Sequence, residues 1–219
     1  ATHLLTDPDT TDELNAFAAL TAKDVSSIIL ANKAMALTWL GVADIYQGSE
    51  LTRTSLVDPD NRRAVDYDGE GGLRAMLSQV SAGSSPRTLD QEKLRLTHRL
   101  AQLRAERPDT FVGPRSGYRA IPVTTSHAFA YARLLDEEPD VVVIVRRLGR
   151  RLRRLGGWRE ESVVLPDGPW TEVLTDRPVD GGAQRLADVV GDLPVVVLAL
   201  DRKDDREDNE DSRDDGDDA

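Results

Sequence analysis

The sequence has 219 residues, of which 39% are apolar and 31% charged, so it is long enough for one large domain or two small ones with hydrophobic cores. It contains no cysteine, which excludes disulfides, thiolate metal sites and cysteine nucleophiles. No uninterrupted apolar run approaches the roughly 18 residues of a membrane-spanning helix, and residues 1–7 lack the pattern of a signal peptide. We therefore expect a cytoplasmic protein without a membrane partner, and the missing initial Met is typical of an internal fragment or a processed chain.

The net charge of −11 is concentrated at the C-terminus. Residues 201–219 contain 11 acidic and 4 basic side chains, too polar a composition to bury much apolar surface. We therefore predict a disordered acidic tail there, acting as a solubilising extension. The remaining 200 residues are only mildly acidic.

The first forty residues predict helix. Thr10 and Glu13 form a capping-box pattern at its start. Apolar side chains then recur at spacings of three and four, which predicts one buried helix face. This stripe consists of Val25, Ile28, Ile29, Met35 and Trp39. Gly41 is suited to end the helix, and the apolar residues 42–46 predict a buried strand that runs into a loop.

Residues 52–108 begin with irregular structure. Residues 52–87 are rich in Asp, Gly, Ser and Arg, with one helical turn predicted near residues 73–80. Thr88 and Gln91 form a second capping box, and Pro108 stops the helix that it opens. A helix, a strand, a long loop and a further helix are typical of the end of a parallel α/β arrangement.

The pattern changes after Pro108. Short β-type runs separated by Gly, Pro and Asp predict an antiparallel β-sandwich, with Phe129 and Tyr131 on one face of its second strand. The runs occupy residues 118–123, 128–133, 141–145, 162–165, 170–174 and 195–200. The boundary between the two domains is predicted near residues 107–109.

Six arginines between residues 146 and 154 form the one feature typical of nucleic-acid binding. No aromatic residue interleaves with them and the surrounding domain is acidic, so a solvated loop is favoured and no nucleic-acid partner is expected. Trp158 and Trp170 fit core positions of a β domain better than sugar platforms.

The most informative segments are YQGSEL at residues 46–51 and SLVDPDNRRAVD at residues 55–66. The first resembles the end of the last barrel strand in alpha-amylase-family enzymes. The second is similar to the segment that follows this strand in maltooligosyltrehalose synthases, which differs mainly by a Pro in place of Ala64. Thr52 and Arg53 depart from the Trp-Asp pair that is common there, so a stacking contact of the family is not carried over.

This resemblance implies an α/β plus all-β fold: the C-terminal end of a (β/α)8 barrel over residues 1–107, then a small antiparallel β-sandwich domain over residues 108–200. Barrel enzymes place their active sites on loops at the C-terminal ends of the strands, so the motif implies a substrate-binding rim. Its members are Tyr46, Gln47, Glu50, Asp60, Asn61, Arg62 and Arg63, whose polar groups can engage sugar hydroxyls. Two alternatives stay open, because the Asp-Pro-Asp-Asn run is also ordinary turn chemistry and Tyr46 is equally typical of a core aromatic.

The resemblance begins after the three catalytic carboxylates of the family, so we expect no catalytic residue in this chain and no activity from the chain alone. The implied reaction of the complete enzyme converts the reducing-end α-1,4 bond of a maltooligosaccharide to an α,α-1,1 bond, without a metal or organic cofactor. The expected partners are this substrate and the missing N-terminal portion of the barrel. The alternative hypothesis is a non-catalytic carbohydrate-binding or protein-interaction module.

Overall fold

The computed structural model describes residues 7–54, 64–82 and 84–202. Four predicted rim residues, Asp60, Asn61, Arg62 and Arg63, lie outside the described residues, and so does the predicted tail from residue 203 onwards. The helices are α1 (Pro8–Thr38), α2 (Leu73–Ser81), α3 (Leu89–Glu106), α4 (Pro108–Phe111), α5 (Gly149–Arg154) and α6 (Leu186–Val189). The strands are β1 (Ser116–Ile121), β2 (Ala128–Leu135), β3 (Glu138–Arg146), β4 (Ser162–Glu172), β5 (Pro178–Arg185) and β6 (Val195–Leu200).

Helix α1 begins before the predicted capping box. Asp7 is the N-cap, and its carboxylate accepts a hydrogen bond from the backbone N–H of Thr10 at 3.0 Å. Pro8, which has no N–H to leave unsatisfied, occupies the first helical position. The helix ends at Thr38 with Trp39 as its C-cap, and Gly41 with φ +85° provides the left-handed residue at which the chain turns away.

The buried face of α1 differs from the predicted one. Leu30, Ala34 and Leu37 are buried, whereas Val25 and Ile28 of the predicted stripe are 48% and 59% exposed. The prediction that this stripe is buried is therefore wrong for Val25, Ile28 and Trp39, whereas Met35 packs against the core. The helix carries one apolar face against the rest of the fold and a second apolar face that nothing in the described chain covers.

This second face also makes α1 resemble a membrane helix. By length and composition alone α1 could cross a membrane, and within the described ranges no other helix could. Only 11% of its apolar stretch is buried. Its buried face nevertheless packs against α3, β3 and β6.

The observed ends of α3 confirm the predicted capping box at its start and the predicted stop at Pro108. The hydroxyl oxygen of Thr88 accepts a hydrogen bond from the backbone N–H of Gln91 at 3.2 Å, and the helix stops before Pro108. Its apolar side packs against α1. The buried side chains on that side include Leu94, Leu96, Leu100 and Leu103.

The six strands form one antiparallel sheet in the order β1-β2-β3-β6-β4-β5. The predicted sandwich of two sheets is therefore wrong. The single sheet curls instead, so that Val123 beyond β1 pairs with Val163 of β4. This curvature encloses a core on the concave side, and a second sheet is not needed to bury that face.

Strand β5 lies in a segment for which no strand was predicted, and β4 joins two runs that were predicted separately. The β4–β5 pairing shifts register between Leu165 and Pro169. Gly181 lies opposite this irregularity, where a Cβ would come within 2.5 Å of the Pro166 carbonyl oxygen. A segment with two consecutive glycines carries a weak strand signal, but here the close backbone approach requires glycine.

Two hydrophobic clusters lie on the two faces of the sheet. One contains Trp158 and Trp170, which confirms both as core residues. The other joins the sheet to α1 and α3, with Tyr131 and Phe111 fully buried in it. The helical residues and the strands thus share a continuous core, and the predicted division near residues 107–109 stays a prediction.

The predicted barrel strand at residues 42–46 is not formed. Val42 is 86% exposed and Tyr46 is 52% exposed. In the described chain, residues 42–45 make no backbone hydrogen bond, although Gly41 donates to the Phe111 carbonyl at 3.3 Å. The prediction of a barrel end is wrong for this chain, because a strand of a parallel barrel needs neighbouring strands and the barrel part is not in this chain.

Candidate functional site

The first predicted site residues form a tight turn after the unpaired segment. The backbone N–H of Ser49 donates to the Tyr46 carbonyl oxygen at 2.9 Å, and the N–H of Leu51 donates to Gly48 at 3.4 Å. Tyr46 and Gln47 are exposed, and Glu50 is half-buried. The structure therefore brings Tyr46, Gln47 and Glu50 together on one turn.

Two lysines from different helices flank this turn. The ammonium group of Lys33 on α1 donates to the Ser49 hydroxyl at 3.5 Å, and that of Lys93 on α3 donates to the Leu51 carbonyl at 2.7 Å. Burial lowers the pKa of Lys33, and the negative charges of Glu50 and Asp44 partly oppose that effect. Burial also lowers the pKa of Lys93, and the positive charge of Lys33 adds to it.

The base of the turn is held by α3 and by the chain that returns to it. The Asp90 carboxylate accepts hydrogen bonds from the backbone N–H of Thr52, at 2.7 Å, and from the Thr52 hydroxyl. Gly48 has φ +76°, and a Cβ there would come within 2.9 Å of Val65 and 3.1 Å of Arg53. Residues on both sides of the segment 55–63 therefore approach the same glycine.

Glu50 has an acceptor that the fold leaves free. Among the described residues nothing donates to its Oε2 atom, although that atom is buried. A buried carboxylate oxygen without a donor is costly. Together with the ammonium groups of Lys33 and Lys93, it suits a ligand that both donates and accepts hydrogen bonds, such as a polyhydroxylated molecule.

Sequence reasoning missed Lys33, Lys93 and Asp90. The available signal was a charged residue inside each amphipathic helix, but helical spacing alone cannot show that α1 and α3 converge on one turn. No group of three or more His, Cys, Asp or Glu within residues 7–54, 64–82 and 84–202 is placed to hold a metal ion. The predicted loop at the arginine cluster is wrong in part, because residues 149–154 form α5 and Arg146 ends β3 as a buried side chain.

Comparison with known proteins gives a consistent result. No family model matches the sequence. The chain is 36% identical over 201 residues to a protein of Mycobacterium tuberculosis, in the CDC 1551 and H37Rv strains, named putative maltooligosyl trehalose synthase. The alignment covers 90% of this chain and 24% of the relative, so the chain spans about a quarter of the length of the curated relatives it matches.

Solved structures agree with this match. The chain superposes on a maltooligosyltrehalose synthase from Arthrobacter ramosus with a TM-score of 0.79 and 27% identity, covering 91% of this chain and 25% of that one. A glycosyltrehalose synthase of DSM5389 shares the fold, with a TM-score of 0.67 and 20% identity over 91% of this chain and 24% of that one.

These similarities place the chain within the alpha-amylase class of carbohydrate-active enzymes. It belongs to the maltooligosyltrehalose synthase family and corresponds to the C-terminal part of those proteins.

Proposed function

We propose that this chain supplies part of the substrate-binding rim, and the C-terminal module, of a cytoplasmic maltooligosyltrehalose synthase. The complete enzyme would move the reducing-end glucose of a maltooligosaccharide from an α-1,4 to an α,α-1,1 linkage. The turn carrying Tyr46, Gln47 and Glu50 is the observation that supports this role, because it combines an exposed aromatic ring with a free buried acceptor. The catalytic carboxylates would come from the part of the enzyme that this chain does not span.

The rim would extend into the segment that carries Asp60, Asn61, Arg62 and Arg63. Arg53 and Val65, which precede and follow this segment in the sequence, both approach Gly48. The ammonium groups of Lys33 and Lys93 would add hydrogen-bond donors beside the turn. Sugar hydroxyls fit such a mixed set, and the aromatic ring of Tyr46 offers an apolar face to a pyranose.

The partner of this chain would be the preceding barrel portion of the same kind of enzyme. Helix α1 exposes large apolar side chains that a soluble helix normally buries. Among them, Leu14 is 51% exposed, Phe17 is 65% exposed and Leu20 is 60% exposed. Residues 42–45 also make no backbone–backbone hydrogen bond with any described residue, and neighbouring barrel strands would supply partners. Both features favour assembly with the barrel over a free-standing carbohydrate-binding module.

The test is a complementation assay with maltopentaose. The chain is mixed with a separately produced barrel portion of the Arthrobacter ramosus relative, and the non-reducing trehalose-type product is measured. Product is expected only when both parts are present. Product from this chain alone would contradict the absence of catalytic residues, and no product from a stable mixed complex would contradict the proposed role.

Two variants show whether assembly uses the exposed face of α1. Phe17→Glu places a charge on that face and should abolish complementation. Val164→Glu places the same charge on an exposed strand position, 58% exposed, and should leave complementation unchanged. Equal effects of the two changes would contradict docking through α1.

A further inference from the structure

A basic groove lies between α1, the end of β3 and α5, away from the proposed rim. Its volume is about 700 Å³. One wall is formed by residues of α1 that include Asp24, Ser27, Ile28 and Asn32, and the other wall carries arginines. These are Arg146, Arg147, Arg150, Arg151 and Arg154.

Most of this positive charge has no partner in the described chain. Asp24, which also lines the groove, pairs with Arg153 at 2.9 Å. Arg147, Arg150, Arg151 and Arg154 form no ion pair with any described residue. Arginines three and four positions apart on α5 and just before it repel one another, which destabilises so short a helix without a counter-charge.

Arg146 adds a buried donor to the groove. Its side chain is only 6% exposed. Its Nη1 atom donates to the Asp192 carbonyl at 2.7 Å and its Nη2 atom donates to the Ser27 hydroxyl at 3.2 Å. Its Nε atom is buried and donates to no described group. A buried guanidinium with a free N–H is a binding element for an anion.

We propose that the groove binds the acidic C-terminal segment of this same chain, residues 203–219. That segment contains 10 acidic and 3 basic side chains, so its net charge of −7 is opposite to that of the arginine wall. The match in charge favours this segment over nucleic acid, which the overall charge of −11 would repel.

The attachment point of the segment makes the contact geometrically feasible. Arg202 is held on Asp140 through its Nε atom at 3.0 Å and its Nη2 atom at 2.7 Å. Asp140 and Arg146 are six residues apart on β3, a distance of about 20 Å along the strand. Seventeen residues suffice to span this distance, because a random-coil chain of that length has a root-mean-square end-to-end distance of about 23 Å. Tethering at that distance raises the effective concentration of the segment to the millimolar range, so weak charge pairing suffices.

Because the sequence contains no cysteine, a single Ser212→Cys substitution gives a unique attachment site for a nitroxide spin label. In the full chain at low ionic strength, backbone amides of residues 24–35 and 146–154 should lose most of their NMR intensity relative to the reduced label. The loss should disappear at about 0.5 M salt, where charge interactions are screened within about 4 Å.

Charge-matched variants test the groove itself. The variant R147Q/R150Q/R151Q/R154Q should lose the broadening, whereas R74Q/R119Q/R159Q/R185Q, with the same charge change on exposed arginines elsewhere, should keep it. Replacing the acidic residues of 203–219 by amides should also remove the broadening, and this change leaves the described fold intact. Three results would overturn the proposal: broadening spread evenly over the surface, broadening that survives in the groove variant, or broadening seen only between labelled and unlabelled molecules.

Discussion

The hydroxyl groups of Thr38 and Tyr131 lie 2.6 Å apart in a hydrogen bond that joins the last turn of α1 to β2. Both residues are completely buried. The Thr38 hydroxyl also donates to the Ala34 carbonyl at 2.7 Å. Because a hydroxyl has one proton, Tyr131 is the donor in the pair. This contact connects residues 93 positions apart and fixes how the helix lies on the sheet.

Loss of this hydrogen bond should destabilise the chain. Tyr131→Phe removes the donor and leaves a buried acceptor on Thr38, so the free energy of unfolding should fall by about 1–2 kcal/mol. Urea unfolding followed by circular dichroism measures the change. Tyr118→Phe is the matched control, because Tyr118 is 42% exposed and its hydroxyl bonds to no described residue. A larger loss in the control would contradict this role of Tyr131.

The same tyrosine should make stability fall at high pH. Burial raises the pKa of Tyr131 to about 12, whereas an unfolded tyrosine titrates near about 10. The native state therefore holds its proton more tightly, so this contribution is complete below about pH 10 and is lost as the pH rises towards about 12. Above pH 10, the wild type should lose about 1 kcal/mol per pH unit relative to Tyr131→Phe. Unfolding curves at pH 9 and pH 11 check this, and parallel pH profiles of the two proteins would exclude it.

Asp140 organises the end of the described chain. Its carboxylate, which is 5% exposed, accepts hydrogen bonds from Arg107 at 2.7 Å, from Thr110 at 2.5 Å and from Arg202 at 2.7 Å. Asp140→Asn leaves the largely buried guanidinium group of Arg107 without its counter-charge. This change should reduce the free energy of unfolding by about 2–4 kcal/mol.

Asp136→Asn is the control for this measurement. Asp136 forms an exposed pair with Arg115, which should contribute less than about 1 kcal/mol. Chemical denaturation of both variants provides the comparison. Similar losses of unfolding free energy in the two variants would show that burial of Asp140 does not determine the strength of its ion pairs with Arg107 and Arg202.

Glu172 should also be sensitive to a neutral replacement. It is fully buried, and its Oε2 atom accepts hydrogen bonds from the backbone N–H groups of Leu174 and Thr175, at 3.0 and 2.7 Å. Glu172→Gln can turn an N–H₂ group towards those donors, so a loss of about 1–3 kcal/mol is expected. Thermal unfolding measures it, with the exposed Glu160→Gln as a control that should stay within about 0.5 kcal/mol of wild type.

The rim residues should affect substrate binding in the complemented enzyme. Glu50→Gln replaces a carboxylate oxygen by a donor and should raise the KM for maltopentaose several-fold while kcat changes little. Tyr46→Ala should act in the same direction through loss of an apolar contact. Steady-state kinetics with Glu160→Gln as control measures both, and an unchanged KM in the two rim variants would remove these residues from the rim.

Local signals predicted the ends of α3 well because these signals depend on residues close in sequence. Thr88 and Gln91 cap α3, and Pro108 ends it, through contacts that span three or four residues. The alternation of Phe129 and Tyr131 likewise predicted a shared strand face, and the rings lie 6.0 Å apart. Strand β5 was not predicted because its glycines weaken the strand signal. They are needed for the close approach to β4, which is visible only once the two strands are paired.

The motif from residue 46 to residue 66 was sufficient to indicate the family, because it is a run of consecutive residues whose order can be recognised without coordinates. The turn of Tyr46, Gln47 and Glu50 could be predicted, but Lys33 and Lys93 could not, since they approach it from helices about 60 residues apart in sequence.

The sequence by itself determined both ends of α3, most of the strand segments and the family, all of which depend on short-range order along the chain. Only the tertiary structure decided which face of α1 is buried, that six strands form one curled sheet, and that residues 42–46 stay unpaired. Burial and strand pairing require partners that are distant in sequence. A pattern such as Val42 to Tyr46 therefore becomes a strand only where its neighbours are present.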